Sequence, residues 1–243
     1  MRKRLFLSFI LCAFIGSSFA QNLQLHYDFR NSLNGDEVAS RNYFTATFEM
    51  FKPDKWGSTF MFIDANFDFS RAGVGLMYTE IARDFKIDNF PLMPHIEYNG
   101  GLGIFKVDDN TTGGFSIPNA YLLGFSYPFK LGNAFCSTYL AYKYNAFAKA
   151  SHDVQWTGTW NANLANNKVT LSGFIDVWTE NKVRYDVVGG DNSSHKKVIL
   201  LTEPQIWYNF TPNFSMGSEV EISSNFIGDK AYVNPTIAAK WNF

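Results

Sequence analysis

Between residues 43 and 67 the side chains change character at every second position, on both sides of a short charged turn. Tyr43, Thr45, Thr47 and Glu49 alternate with Phe44, Ala46, Phe48 and Met50. After the turn, Ser58, Phe60, Phe62 and Asp64 alternate with Thr59, Met61, Ile63, Ala65 and Phe67. A period of two is the period of a β-strand. The segment Lys52-Pro53-Asp54-Lys55 is expected to end the first strand, because proline lacks the N–H that a ladder uses. One face of the pair is uncharged and mostly apolar; the other mixes aromatics with carboxylates. A soluble sheet normally hides its apolar face and wets a polar one. Aromatics beside carboxylates suit a polar lumen, and the uncharged face suits lipid.

The ends of the chain agree with export to an outer membrane. Arg2, Lys3 and Arg4 precede an apolar run over 5–15, and Ser18-Phe19-Ala20 is a small-x-small cleavage site. Residues 1–20 are expected to be a signal peptide, and residues 21–243 an outer-membrane β-barrel in a Gram-negative bacterium. Cys12 follows Leu11, which is too bulky for the usual lipid-attachment box. No later run of about 18 apolar residues is present to make a transmembrane helix. Aromatic residues are 18% of the chain, yet mean hydropathy is −0.15. Alternating lipid-facing and lumen-facing residues average out in this way. Without Arg2, Lys3 and Arg4 the 21 basic residues fall to 18 against 22 acidic, a net of −4. That balance argues against a nucleic-acid polymer as partner. With Cys12 in the leader, Cys136 alone remains, so neither an intrachain disulfide nor a cysteine-based zinc cluster is available.

Twelve strand-like segments follow, roughly 22–29, 42–51, 56–68, 73–85, 95–105, 118–128, 135–146, 153–163, 168–178, 197–210, 214–224 and 231–243. They predict an all-β fold: a closed, antiparallel, up-and-down transmembrane barrel of about 12 strands. If the N-terminus is periplasmic, connections after even strands should be short and those after odd strands long. The loops over 31–41, 107–115 and 179–196 fit; 70–72 is short for the rule and 88–94 is long. The last strand places Val233, Ile237, Ala239, Trp241 and Phe243 on one face and ends there. A terminal aromatic on an alternating strand resembles the signal read by the barrel-insertion machinery, an expected partner along with outer-membrane lipid. A closed barrel has no free edge, so a monomer is expected.

The motif Glu49, Phe51, Trp56, Phe60, Phe62 and Asp64, followed by Tyr78-Thr79-Glu80-Ile81, Phe85 and Ile87, resembles the Tsx-like nucleoside-specific channel-forming proteins of Gram-negative outer membranes. Weaker matches are Gly173-Phe174 with Asp176 and Trp178, and the final Asn242-Phe243. The likeness is strong only over 43–87. The family's arginine between the Glu80 and Phe85 positions is Asp84 here, with Arg83 one place earlier. The resemblance implies passive, substrate-selective uptake of small solutes, nucleosides among them.

Strand parity sends Glu49, Asp64, Glu80, Glu97, Asp176, Glu203, Glu219 and Glu221 inward, with Arg30, Lys143, Lys168 and Lys240 as the matching bases. A lysine or arginine on the lipid face would cost about 2–4 kcal/mol at mid-membrane. The candidate substrate-binding set is Glu49, Phe60, Phe62, Asp64, Tyr78, Glu80, Phe174, Asp176, Trp178 and Trp207. Flat aromatic faces stack on bases, and carboxylates accept hydrogen bonds from ribose hydroxyls or amino groups. The same residues could instead fill and salt-bridge a closed lumen, leaving a non-conducting barrel that anchors a partner or binds a ligand. No enzyme is expected: there is no G-x-S-x-G or H-E-x-x-H, and His195 merely adjoins Ser193 and Ser194. No cofactor and no metal are expected.

Overall fold

A computed structural model describes residues 20–243 apart from 40, 69–72, 107–110, 147–150 and 183–194. The expected leader up to residue 19, the short 70–72 connection and most of the 179–196 loop lie outside the described residues, while Ala20 opens the first strand. Thirteen strands form one antiparallel sheet. They are β1 (Ala20–Asp28), β2 (Tyr43–Asp54), β3 (Gly57–Asp68), β4 (Gly73–Phe85), β5 (Met93–Lys106), β6 (Thr112–Leu131), β7 (Ala134–Asn145), β8 (Ser151–Leu164), β9 (Val169–Lys182), β10 (His195–Thr202), β11 (Gln205–Asn209), β12 (Phe214–Ser224) and β13 (Ala231–Asn242). Pairing of β1 with β13, and of β13 with β12, closes the sheet into a barrel.

β10 and β11 are two halves of one strand. Both pair with β9 on one side and β12 on the other. The register runs straight through the gap, from Thr202↔Ile175 to Gln205↔Ser172. Pro204 interrupts the ladder because it has no N–H to give. Gly173 stands beside it at φ +149°, where a Cβ would come within 2.6 Å of the Glu203 carbonyl oxygen. With the two halves counted together the barrel has twelve staves, the number expected from the sequence.

The alternation has the physical cause expected of it. Leu23, Leu25, Leu123, Phe125, Ile206 and Ile237 point outward and are exposed, while Gln24, His26, His95, Gln155 and Asn234 point inward and are buried. The start of β1 and the end of β13 lie at one end, since Asn22 pairs with Asn242. An exposed aromatic belt marks that end, including Trp56, Phe85, Phe90, Phe135, Phe210 and Phe243. No helix among the described residues is long and apolar enough to cross a membrane, which is no bar to a barrel.

Three expectations need correction. The turn at Lys52-Pro53-Asp54-Lys55 is tighter than read: β2 runs through Pro53↔Ser58 to Asp54↔Gly57, leaving only Lys55 and Trp56 at the tip. Among the described residues, pairing of β2 with β1 reaches Ala20↔Phe51, two positions short of Pro53. Gly57 permits the tight return: its φ is +144°, and a Cβ there would sit 1.9 Å from the Asp84 carbonyl oxygen. Lys168 is not a lumen base. It belongs to the exposed turn before Val169, and Ala165, Asn166 and Asn167 ahead of it all have positive φ. The β5–β6 connection is also shorter than the 107–115 expected, because β6 already begins at Thr112.

At the end away from the termini, the β1–β2 connection folds over the rim. It holds α1 (Arg30–Asn34) and a 3-10 turn, Gly35–Glu37. Arg30 bonds Asp28 on β1 and Glu221 on β12, each through Nη2 at 2.8 and 3.0 Å. Asn34 donates to the fully buried Asn234 at 2.8 Å. Glu37 accepts from Lys230 and Tyr232, and the bond from Lys230 lowers its carboxyl below the usual value. This segment is therefore pinned to β12, β13 and the turn between them.

Candidate functional site

The β2–β4 hairpins assemble one continuous inner wall. Glu49 on β2 is level with Phe62 on β3, which is level with Glu80 on β4. One step toward the far rim, Thr47, Asp64 and Tyr78 form the next row. Alternation puts all six side chains on the same face of the sheet. The Phe60 and Phe62 rings lie 6.0 Å apart, and Phe62 and Tyr78 lie 5.9 Å apart. Each contact is tilted rather than stacked, so the ring faces are not consumed by one another. Tyr78 donates to Glu80 at 2.6 Å, Thr47 donates to Asp64, and Asn22 donates to Glu49 at 3.0 Å. These wall residues are all half-buried, so lumen solvent reaches them.

The β9 residues stand elsewhere on the lumen wall. Phe174, Asp176 and Trp178 share a face, and Asp176 accepts from Thr157. Glu80 lies within electrostatic reach of Asp176 and Glu97. Glu203, opposite Phe174 by the unbroken register, lies within reach of Glu219, Glu221, Asp64 and Glu80. The acids thus form a belt that joins the two sides of the lumen.

The two tryptophans are built in rather than offered. Trp207 has no exposed surface; Lys240 lies over its ring at 4.0 Å, and its Nε1–H donates to Gln205 at 2.9 Å. Trp178 is nearly buried, with Lys143 over its ring at 4.6 Å and its Nε1–H donating to Glu180 at 2.9 Å. Of the ten candidates, the structure gathers Glu49, Phe60, Phe62, Asp64, Tyr78 and Glu80 into one wall. It sets Phe174, Asp176 and Trp178 apart from them, and seals Trp207 away.

A second network adjoins the wall on β5–β8. His95 bonds Asp84 through Nδ1 at 2.8 Å and Glu97 through Nε2 at 3.1 Å. Its ring stacks on Tyr139, centroids 4.1 Å apart, and the Tyr139 hydroxyl donates to Glu97 at 2.9 Å. Lys143 donates to Gln155 at 2.8 Å, and Gln155 donates to Tyr139 at 3.0 Å. His95, Asn99, Tyr139 and Gln155 are absent from the candidate set. The signal for two of these was present: His95 and Asn99 share one polar face with Glu97, each spaced two apart.

This network lacks a nucleophile's geometry. Ser126 donates to Asp84 at 2.6 Å, so its hydroxyl is bonded to the carboxylate and not to the imidazole that would take its proton. Among the described residues no group of three or more His, Cys, Asp or Glu side chains could hold a metal ion.

Known proteins share the architecture. The NanC porin superimposes with a TM-score of 0.54 at 11% identity, covering 92% of this chain and 100% of its own. The KdgM porin gives 0.48 at 9% identity, covering 92% and 99%. Outer membrane phospholipase A from Escherichia coli gives 0.48 at 11% identity, covering 92% and 96%. At these identities the likeness establishes the fold, that of an outer-membrane barrel, and the first of the three carries it. No curated protein matches the sequence. Residues 20–243 match the family described as a domain of unknown function, DUF5020, and a match over nearly the whole chain makes this protein a member of the DUF5020 family.

Proposed function

We propose that the barrel is a passive outer-membrane channel for small, flat, hydroxylated solutes that are neutral or cationic, with nucleosides as the candidate cargo. The observation that carries this reading is the half-open wall of Phe60, Phe62 and Tyr78 flanked by Glu49, Asp64 and Glu80. The rings offer stacking surface, and the carboxylates offer acceptors to hydroxyl and amino groups. Several weak contacts in a row let a solute bind and still leave. The Tsx-like pattern of residues 43–87 falls on this wall, which supports nucleosides over other flat solutes. The acid belt disfavours anions.

The decisive experiment is conductance of the purified barrel in a planar bilayer with nucleoside added. Nucleoside should block the current. Phe60→Ala with Phe62→Ala should fold, conduct more ions, and lose block by about tenfold or more, because a stacked base is worth about 1–3 kcal/mol. Unchanged block in the double variant would show that the rings only pack.

One observation favours a second reading, a plugged barrel that binds or anchors without conducting. Trp207 and Ile199 are 0% exposed, and inward residues of β1, β8 and β13 are largely buried. A barrel that inserts and carries no current would establish it.

A further inference from the structure

We propose that Glu97 Oε1 and Asn99 Oδ1 form a recognition subsite for an amino group on the solute. The lumen then prefers a flat solute bearing –NH2 over one bearing a carbonyl at the same place. This rests on the proposal that the lumen admits flat solutes.

The two residues lie two apart on β5, so both project inward about 7 Å apart along the strand. Glu97 is 7% exposed and Asn99 is 4% exposed. Glu97 Oε2 accepts from His95 and Tyr139, but Oε1 has no partner, and neither has Asn99 Oδ1. A buried acceptor left unpaired is costly, so the pair calls for a donor from outside the chain.

Nearby donors are committed. The Tyr78 hydroxyl is turned to Glu80, the Tyr139 hydroxyl to Glu97 Oε2, and the Lys143 ammonium to Gln155 and the Trp178 ring. Both His95 nitrogens face carboxylates. No three acids or histidines converge as a metal would need among the described residues, which points to an N–H donor rather than a chelated ion.

The subsite is in register with the aromatic wall. Phe62, Glu80 and Asn99 form one cross-strand row over β3, β4 and β5. Adjacent strands are about 4.8 Å apart, so Asn99 lies about 10 Å from Phe62 along that row. A ring lying on Phe62 and Tyr78 would turn one edge toward β5. An amino group there offers a donor to Asn99 Oδ1 or to Glu97 Oε1, whereas a carbonyl oxygen would face another oxygen.

Cytidine and uridine differ at this edge by amino for oxo, and they are the probes. Block of current and equilibrium binding to the detergent-solubilised barrel are both measured. Cytidine should bind about fivefold to tenfold more tightly than uridine. Asn99→Leu and Glu97→Gln, each checked for heat-modifiable folding, should bring the two within about twofold. Equal affinity in the native barrel, binding of neither, or a preference that survives Asn99→Leu would overturn the subsite. Conduction with no nucleoside binding would overturn the subsite while leaving a channel. Selective binding without conduction would sustain the subsite and overturn the channel.

Discussion

Asp54 closes β2 at the terminal end of the barrel, outside the membrane-spanning length. Arg83 grips it with two bonds, Nη1 to Oδ2 at 2.7 Å and Nη2 to Oδ1 at 2.9 Å, and the Trp56 amide adds a third at 2.8 Å. Arg83 and that amide hold the carboxyl down to about 2, against an ordinary 3.8. A depressed folded-state value means the contribution is present above 3.8 and fades as pH falls through about 2. Asp54→Asn should therefore lower the unfolding midpoint at neutral pH and make no difference below about pH 2. Denaturant titrations of both proteins at the two pH values read this directly; an equal deficit at both would place the effect in packing. Arg83 thereby ties the β2–β3 turn to β4.

At the scale of elements, β13 carries the most testable assignment. It closes the barrel through β1 and β12, and its outward Val233, Ile237 and Trp241 are exposed, as is Phe243 just after it. Phe243 contributes one backbone bond, from its N–H to the Gln21 carbonyl at 3.0 Å. Its ring is not part of a core, so its loss should cost the finished barrel little. Deleting Phe243, or replacing it with a charged residue, should leave export intact and reduce the amount of heat-modifiable folded barrel in the outer membrane. Normal levels would remove the terminal aromatic from the insertion signal.

Across the whole molecule, charge is what distinguishes this lumen. Glu49, Asp64, Glu80, Glu97, Asp176, Glu203 and Glu219 face it, while Lys143 and Lys240 are laid over tryptophan rings. A low-dielectric wall focuses such a field along the axis. Under a salt gradient, the reversal potential of the open barrel should shift toward the cation. The shift should shrink toward 1 M salt, where screening acts within about 3 Å. An anion-selective current would contradict the acid belt as the dominant field.

Period-two alternation by itself determined the strands, their number and the inward acids, because the direction of a side chain along a strand is a local property. It also exposed the 43–64 wall, since residues joined by one tight hairpin are neighbours whatever the rest of the chain does. It misread Pro53 because proline removes one N–H without by itself ending a strand, and the β2–β3 pairing continues through Pro53↔Ser58. It misplaced Lys168 because inward parity means nothing once a residue belongs to a left-handed turn. Only the tertiary structure decided what meets across the lumen. Trp207 is sealed because Lys240, from a strand two away, lies on it. Glu97 Oε1 and Asn99 Oδ1 stand out because the Tyr78, Tyr139 and Lys143 donors are bonded to other acceptor atoms. Sequence spacing fixes which face a residue takes, while the partners left for it depend on closure of the barrel, which brings distant strands together.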